Sequence, residues 1–137
     1  MESRRLNVFF YGLFMDGMAL RAKGLNPFNA RHARIDGMAL RIGERATLVA
    51  DANASAHGIL MELTHQEIDQ LYSDPSVAMY RAEAVLAELA DGSHAAALCF
   101  NLPRPPRLEE ANPDYAAKLR EVGRRLNPPP DYIEKIK

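Results

Sequence analysis

Residues 6–15 read LNVFFYGLFM. The part from 6 to 10 is rich in β-branched and aromatic side chains and runs into Gly12, which is typical of a buried strand that enters a turn. Asp16 follows as a suitable N-cap for a short helix over residues 16–23. The start of the chain therefore predicts a strand, a glycine-containing turn and a helix in direct succession.

Short apolar segments separated by polar residues fill the middle of the chain. The strand candidates are residues 34–42, 46–50, 57–62, 80–89 and 94–100. Residues 51–55, DANAS, form a polar connection, and Asp91-Gly92 is a strong hairpin signal. Strands at this spacing favour a meander or a barrel.

Helices are predicted at three further places. Thr64 and Glu67 have the spacing of a capping box, which predicts a helix at 65–72. After a stiff proline segment, residues 111–126 show helical apolar spacing, and a short final helix follows at 132–136. Together these elements predict an α+β fold, a small, mostly antiparallel β-barrel with flanking helices.

Length and composition favour one domain over residues 1–137, with a core at 6–101 and a C-terminal helical extension at 108–137. The 47% hydrophobic content supports a packed core, and the net charge of −1 is spread along the chain. An even charge distribution lacks the basic footprint expected of a protein that binds nucleic acid or an anionic membrane. We therefore expect a small-molecule or protein partner, with no nucleic acid and no membrane.

Cysteine and histidine usage argues against a disulfide or a metal site. Cys99 is the single cysteine and lies in an apolar strand, so we expect a buried, inert thiol. The four histidines are dispersed without metal-ligand spacing, and His57, which precedes a strand glycine, is the most interesting of them. A cytoplasmic location and no metal are the expectations.

The turn at the end of the first strand is a candidate anion site. A strand, a glycine turn and a helix start bring successive backbone N–H groups together, where they can hold a carboxylate or phosphate. The segment lacks the glycine spacing that binds ATP or NAD. A tight turn without a ligand is the alternative.

Several motifs, taken in order, resemble the γ-glutamylcyclotransferase-like (AIG2-like) family. Phe10 to Met15 resembles its Tyr-Gly-Ser-Asn or Tyr-Gly-Thr-Leu turn, and His57-Gly58-Ile59-Leu60 resembles its glycine strand. A helix ending in Leu71, a Tyr80-Arg81 strand entrance and the Asp91-Gly92 hairpin follow. The resemblance covers residues 7–100 and implies a cofactor-independent enzyme that cyclises a γ-glutamyl amine or peptide to 5-oxoproline and releases the amine.

The resemblance also implies roles for individual residues. Tyr11, Gly12, Leu13 and Phe14 would hold the substrate carboxylate through backbone N–H groups, although Leu13 and Phe14 stand where Ser and Asn would add side-chain hydrogen bonds. From its place at a strand start, Tyr80 is expected at the mouth of the pocket, with a place in the core as the alternative for such an aromatic. These five residues are the predicted substrate-binding set.

The predicted catalytic base is Asp74. The family pattern is Leu-Asp-x-x-Glu-Gly, whereas this chain has Leu71-Tyr72-Ser73-Asp74-Pro75-Ser76, so Pro75 occupies the register of the glutamate. Asp74 is the nearest carboxylate, one position early, and it is equally suited to form a turn ahead of the proline. Glu62 and Glu83 are expected to be solvated strand residues.

Two functions therefore remain open. The first is a γ-glutamylcyclotransferase-like enzyme with Asp74 as the base. The second is a non-catalytic small-molecule-binding or interaction module that keeps the pocket. The identity of the γ-glutamyl compound and the oligomeric state have no signal in the sequence.

Overall fold

The computed structural model describes residues 4–107, 109–126 and 129–136. Within them are five strands, which are β1 (Arg5–Phe10), β2 (Phe28–Ile42), β3 (Ala46–Thr64), β4 (Arg81–Leu89) and β5 (His94–Asn101). The helices are α1 (Gly17–Ala22), α2 (His65–Tyr72), α3 (Pro113–Leu126) and α4 (Pro130–Glu134), and a 3-10 turn spans Leu13–Met15.

The strands form a closed barrel in the order β1-β3-β2-β4-β5. Neighbouring strands are antiparallel except for β1 and β5, which run parallel where Val8 pairs with Leu98 and Phe9 with Cys99. This pair closes the barrel and leaves the ends of β1 and β5 side by side. The predicted small, mostly antiparallel β-barrel with flanking helices is confirmed.

Strand β2 begins earlier than its sequence indicates. Residues 26–29 have the composition of a loop, yet β2 starts at Phe28, which pairs with Glu62 of β3. The Arg5 guanidinium lies 3.9 Å from the centre of the Phe28 ring and covers one face of it. Pairing with a distant strand therefore overrides the local turn propensity.

The predicted break in β3 at 51–55 is wrong, because one strand runs from Ala46 to Thr64. The ladder is interrupted between the pairs Asp36–Ser55 and Met38–Ala50, so four residues of β3 stand opposite the single Gly37 of β2. Gly37 has φ +83°, a conformation that glycine adopts without strain. The polar DANAS segment is thus an irregularity within the strand.

Helix α2 begins and ends where the capping box and Pro75 predict. The Glu67 N–H donates to Thr64 Oγ1 at 3.1 Å, and the Thr64 N–H donates to Glu67 Oε1 at 2.9 Å. The helix buries Ile68 and Leu71 against the barrel. Its last residue, Tyr72, is thereby placed at one end of the barrel.

The C-terminal helices pack on the same core as the barrel. Ala116, Leu119 and Val122 of α3 are buried in one cluster with residues of β1 and β3. Helix α4 starts at Pro130, two residues before the predicted start, because the fixed φ of proline suits a first helical turn. None of the helices in the described parts of the chain has the length and apolarity to cross a bilayer.

Candidate functional site

A cavity of about 360 Å³ opens at the end of the barrel where β1 runs into the 3-10 turn. Its walls come from the end of β1 and the following turn, the β2–β3 turn, the end of α2, the segment before β4, the end of β5 and the start of α3. Eight of its lining residues are aromatic, namely Phe9, Phe10, Tyr11, Phe14, Tyr72, Tyr80, Phe100 and Tyr115. A concave site with apolar walls and a few polar groups is typical of small-molecule binding.

The aromatic walls are held by ring contacts. The Tyr72 ring stacks on Phe100 with ring centres 3.9 Å apart and an interplanar angle of 15°. Phe14 meets Tyr72 edge-on at 6.5 Å and Phe10 at 6.2 Å. These contacts bring the turn after β1, the end of α2 and strand β5 into one wall.

The turn after β1 contributes Gly12, Leu13 and Phe14 to the lining of this cavity. The Gly12 carbonyl accepts from the Met15 N–H at 3.0 Å, and the Leu13 carbonyl accepts from the Asp16 N–H at 3.3 Å. The N–H groups at the start of such a turn have no acceptor within it. The Asp16 side chain accepts from the Met18 N–H at 3.0 Å, so Asp16 is the N-cap that the sequence predicts.

Gly12 is required here by a close approach and not by its dihedral angles. Its φ of −108° and ψ of −151° are extended values open to other residues. A Cβ at this position would lie 2.7 Å from the Tyr115 hydroxyl oxygen. The absence of a side chain at Gly12 therefore lets α3 bring Tyr115 against the turn.

Two of the cavity tyrosines are tied to backbone carbonyls. The Tyr11 hydroxyl donates to the Phe100 carbonyl at 2.6 Å, and the Tyr80 hydroxyl donates to the Ala46 carbonyl. Burial raises the pKa of both hydroxyls well above the ordinary value for tyrosine. They keep their protons near neutral pH, so they act as hydrogen-bond donors and not as bases.

Charged groups occur only at the rim of the cavity. Arg45 is the one basic residue among those that line it. Its Nε donates to the Ser76 carbonyl at 2.9 Å, and its Nη1 lies 3.5 Å from Glu44 Oε1. The Glu44 side chain is 83% exposed, so its carboxylate is solvated. An anion entering the cavity would pass this guanidinium.

A family model described as "Gamma-glutamyl cyclotransferase, AIG2-like" matches residues 8–118. The chain belongs to this family. The match includes the turn after β1, the end of α2 and Tyr115, which all line the cavity. No match was found among curated protein sequences.

Solved structures share the fold of this γ-glutamyl cyclotransferase family member. A "Gamma-glutamyl cyclotransferase" is 16% identical with a TM-score of 0.81, and the alignment covers 97% of this chain and 86% of the other. An uncharacterized human protein is 18% identical with a TM-score of 0.78, over 96% of this chain and 86% of its own. A mouse AIG2-like protein is 12% identical with a TM-score of 0.58, over 81% and 90%.

The structure brings the five predicted substrate-binding residues of this family member together. Tyr11, Gly12, Leu13, Phe14 and Tyr80 all line the one cavity. Their role in binding stays a prediction, because their position alone does not test it.

Asp74, the predicted base, is not among the cavity-lining residues. Its Oδ1 accepts from the Ser76 N–H at 2.9 Å and from the Ser76 hydroxyl at 2.7 Å. These two hydrogen bonds hold the pKa of Asp74 below its ordinary value. This arrangement is that of a turn-forming aspartate ahead of Pro75, and catalysis by Asp74 stays a prediction.

The remaining titratable candidates lie elsewhere in the fold. Burial raises the pKa of Cys99 to about 12, as expected of an inert thiol. His57 packs against Tyr132 with ring centres 4.9 Å apart and does not line the cavity. Glu83 accepts from Asn101 Nδ2 at 2.8 Å, and Glu62 accepts from Asn29 Nδ2 at 2.8 Å. Among the described residues, no three acidic, histidine or cysteine side chains are placed to hold a metal.

Sequence reasoning missed three contributors to the site. Tyr72 stands where the family pattern has an aspartate, and this departure from the pattern could have identified Tyr72 as a residue of the site. Tyr115 was visible only as one apolar position of a predicted helix. Arg45 lies in the short turn between β2 and β3 and carries no motif.

Proposed function

We propose that the cavity binds a γ-glutamyl compound or its cyclised product, and that the chain in this conformation is a small-molecule-binding module of its family. The observation that carries this proposal is that the residues lining the cavity include no buried carboxylate that could act as a base. The cavity keeps aromatic walls and a turn of backbone N–H groups, whereas the one carboxylate that lines it, Glu44, is solvent-exposed and faces Arg45. A proton-transfer role needs a base within reach of the reacting nitrogen.

The geometry supports a particular orientation of the ligand. The carboxylate would lie against the N–H groups of Gly12 to Phe14, since these residues line the cavity and the first N–H groups of a 3-10 turn have no acceptor within it. The methylene chain would lie between Tyr72 and Tyr80, where apolar area is buried. Arg45 at the rim would attract the anion during entry.

Binding can be measured directly by calorimetry with 5-oxoproline, glutamate, glutathione and γ-glutamylamines. Amide NMR shifts should localise to residues 11–14, with no comparable shifts at the Asp91-Gly92 hairpin, which is at the opposite end of β4 and β5 from Phe100. An Arg45→Gln variant should bind anions more weakly and with less dependence on salt. Shifts confined to residues outside the cavity would contradict the proposal.

A second candidate function is the cyclisation reaction itself, and membership of the γ-glutamyl cyclotransferase family favours it. In that reaction the α-amine attacks the γ-carbonyl, a new C–N bond closes the ring, and the bond to the leaving nitrogen breaks. A base takes a proton from the α-ammonium and returns one to the leaving nitrogen. Asp74 would have to leave its two hydrogen bonds to Ser76 to do this.

Release of 5-oxoproline from the same compounds distinguishes the two functions. If Asp74 is the base, Asp74→Asn should reduce the rate about 10²–10⁴-fold and leave binding nearly intact. Asp74→Glu should retain or raise the rate. Binding without 5-oxoproline release, or an Asp74→Asn variant as active as the wild type, would rule out Asp74 as the base and favour the binding module.

A further inference from the structure

One edge of strand β4 has no neighbouring strand over most of its length. On one side β4 pairs with β5 from Arg81 to Glu88, whereas on the other side it pairs with β2 only at Glu88 and Leu89. The barrel therefore closes between β2 and β4 through two residue pairs. Within the described parts of the chain, no strand is paired with that side of residues 81–87.

The hairpin between β4 and β5 fixes which backbone groups point to this edge. The Leu89 N–H donates to the Ser93 carbonyl at 2.8 Å, so these two residues form a hydrogen-bonded pair. Hydrogen-bonded and non-hydrogen-bonded pairs alternate along an antiparallel ladder, so the odd-numbered residues of β4 direct their N–H and C=O groups to β5. The groups of Ala82, Ala84 and Leu86 therefore point away from β5, to the open edge.

The side chains of these three edge residues are exposed on the outer face of the barrel. Leu86 is 61% exposed, which is unusual for a leucine in a barrel strand. Their partners on β5 are Phe100, Leu98 and Ala96, so this face carries no charge. Proline and lysine, which commonly block a free strand edge, are absent from residues 81–87.

A second copy of the same edge is complementary to it. About a two-fold axis at Ala84, an antiparallel copy of residues 81–87 places Ala84 opposite its own equivalent and Ala82 opposite Leu86. All the residues brought opposite one another then direct N–H and C=O groups to the edge, so about six backbone hydrogen bonds form. The paired span ends where β2 takes up the edge at Glu88, and each large Leu86 lies beside a small Ala82.

The charges along β4 also suit an antiparallel copy. Arg81 lies at one end of the free edge and Glu88, which is paired with Arg34 of its own chain, lies just beyond the other. An antiparallel copy brings the positive end of each strand to the negative end of the other. The remaining charge, Glu83, accepts from Asn101 Nδ2 of its own barrel at 2.8 Å and would lie opposite a valine.

We propose that two copies of the chain associate through the free edge of β4, so that the β5–β4 sheet of one copy continues into the β4–β5 sheet of the other. The contact is shorter than a standard protein interface, so the association is weak, with a Kd on the order of 100 µM. This pairing does not depend on what the cavity binds.

The test is sedimentation equilibrium of the wild type and of variants at chain concentrations up to about 1 mM, tenfold above the expected Kd. Ala84→Lys places like charges directly opposite each other at the axis. Ala84→Pro removes an N–H from the edge, where strands tolerate proline. Ala96→Lys is the matched control, because Ala96 is exposed on the same outer face but lies on β5, one strand away from the edge. Thermal unfolding checks that each variant is folded.

The mass of the wild type should rise from that of one chain toward that of two as the concentration increases. Ala84→Lys and Ala84→Pro should each weaken the association about tenfold or more, and Ala96→Lys should leave it unchanged. A wild type that stays monomeric at the highest concentration, or an Ala84→Lys variant that associates as strongly as the wild type, would overturn the proposal.

A cross-link tests the register of the pairing. Across the axis the two Ala84 Cα atoms would lie about 5.5 Å apart, within the range that a disulfide spans. Mild oxidation of Ala84→Cys should therefore give a covalent dimer, whereas Ala96→Cys should give none, and the native Cys99 is buried. Equal cross-linking of the two variants would reject pairing through β4. None of these results bears on the proposed function, which is tested by ligand binding alone.

Discussion

Replacement of Gly12 by alanine probes the contact on which the shape of the cavity depends. The new Cβ would lie 2.7 Å from the Tyr115 hydroxyl oxygen, about 0.8 Å inside the ~3.5 Å separation at which carbon contacts become favourable. Tyr115 cannot easily retreat, because Leu119 and Val122 anchor α3 in the core. The backbone angles at Gly12 suit alanine, so the cost comes from crowding. Overpacking of this kind costs about 1–3 kcal/mol of unfolding free energy, or roughly 3–10 °C in Tm.

The assay is thermal and urea unfolding of Gly12→Ala in the wild-type and Tyr115→Phe backgrounds. Phenylalanine removes the oxygen that clashes, so the double variant should recover about 1–2 kcal/mol as coupling energy. Gly17→Ala is the control, since its Cβ would meet the flexible tip of Arg21 at 3.2 Å and Met61 Sδ at an ordinary 3.9 Å, and alanine favours the helix. An equal loss of stability in both backgrounds, or no loss at all, would refute the close approach of α3 to the turn.

Three further substitutions test other parts of the structure. Gly58→Ala would place a Cβ 2.2 Å from a backbone oxygen of β1, so we expect loss of soluble protein or more than about 3 kcal/mol of stability, measured by expression and urea unfolding; a folded variant of normal Tm would refute this. Thr64→Ala should cost about 1 kcal/mol through loss of the N-cap of α2, and Thr64→Ser should restore most of it; equal Tm values would exclude the cap as a stabilising contact. His57 has a lowered pKa because of burial and the nearby Arg34 charge, so the unfolded chain takes up the proton first as the pH falls. Stability present above about pH 6.5 should therefore decline as the pH drops to 5, and the decline should be shallower in His57→Gln; parallel pH profiles would argue against this linkage.

The parts of the fold that were predictable are those with a local chemical cause. The Asp91-Gly92 hairpin forms because Asp91 accepts from the Ser93 N–H at 2.9 Å and Gly92 has φ +86°. The capping box at Thr64 is equally local. The start of β2 at Phe28 and the continuity of β3 through 51–55 depend on pairing between strands, which composition does not encode.

The same distinction applies to the candidate site. The turn at 11–14 follows from a strand running into a glycine, so its position could be read from the sequence. Tyr115 reaches that turn from a helix about 100 residues further along the chain, and nothing in its neighbourhood indicates this. The side-chain direction of Asp74 also depends on the hydroxyl of Ser76, a contact that residue spacing alone could not choose over an inward orientation.

The parallel pairing of β1 with β5 has a consequence for the rate at which the molecule forms and loses its cavity. The paired residues Val8 and Leu98 are about 90 residues apart, so their meeting costs roughly 4 kcal/mol of chain entropy beyond a length-independent constant. Phe10 and Phe100, at the ends of these two strands, face the cavity only once that meeting has occurred. A ligand that touches both strands therefore finds no binding surface in the open chain. If the strands meet after the folding transition state, such a ligand slows unfolding and leaves the folding rate unchanged.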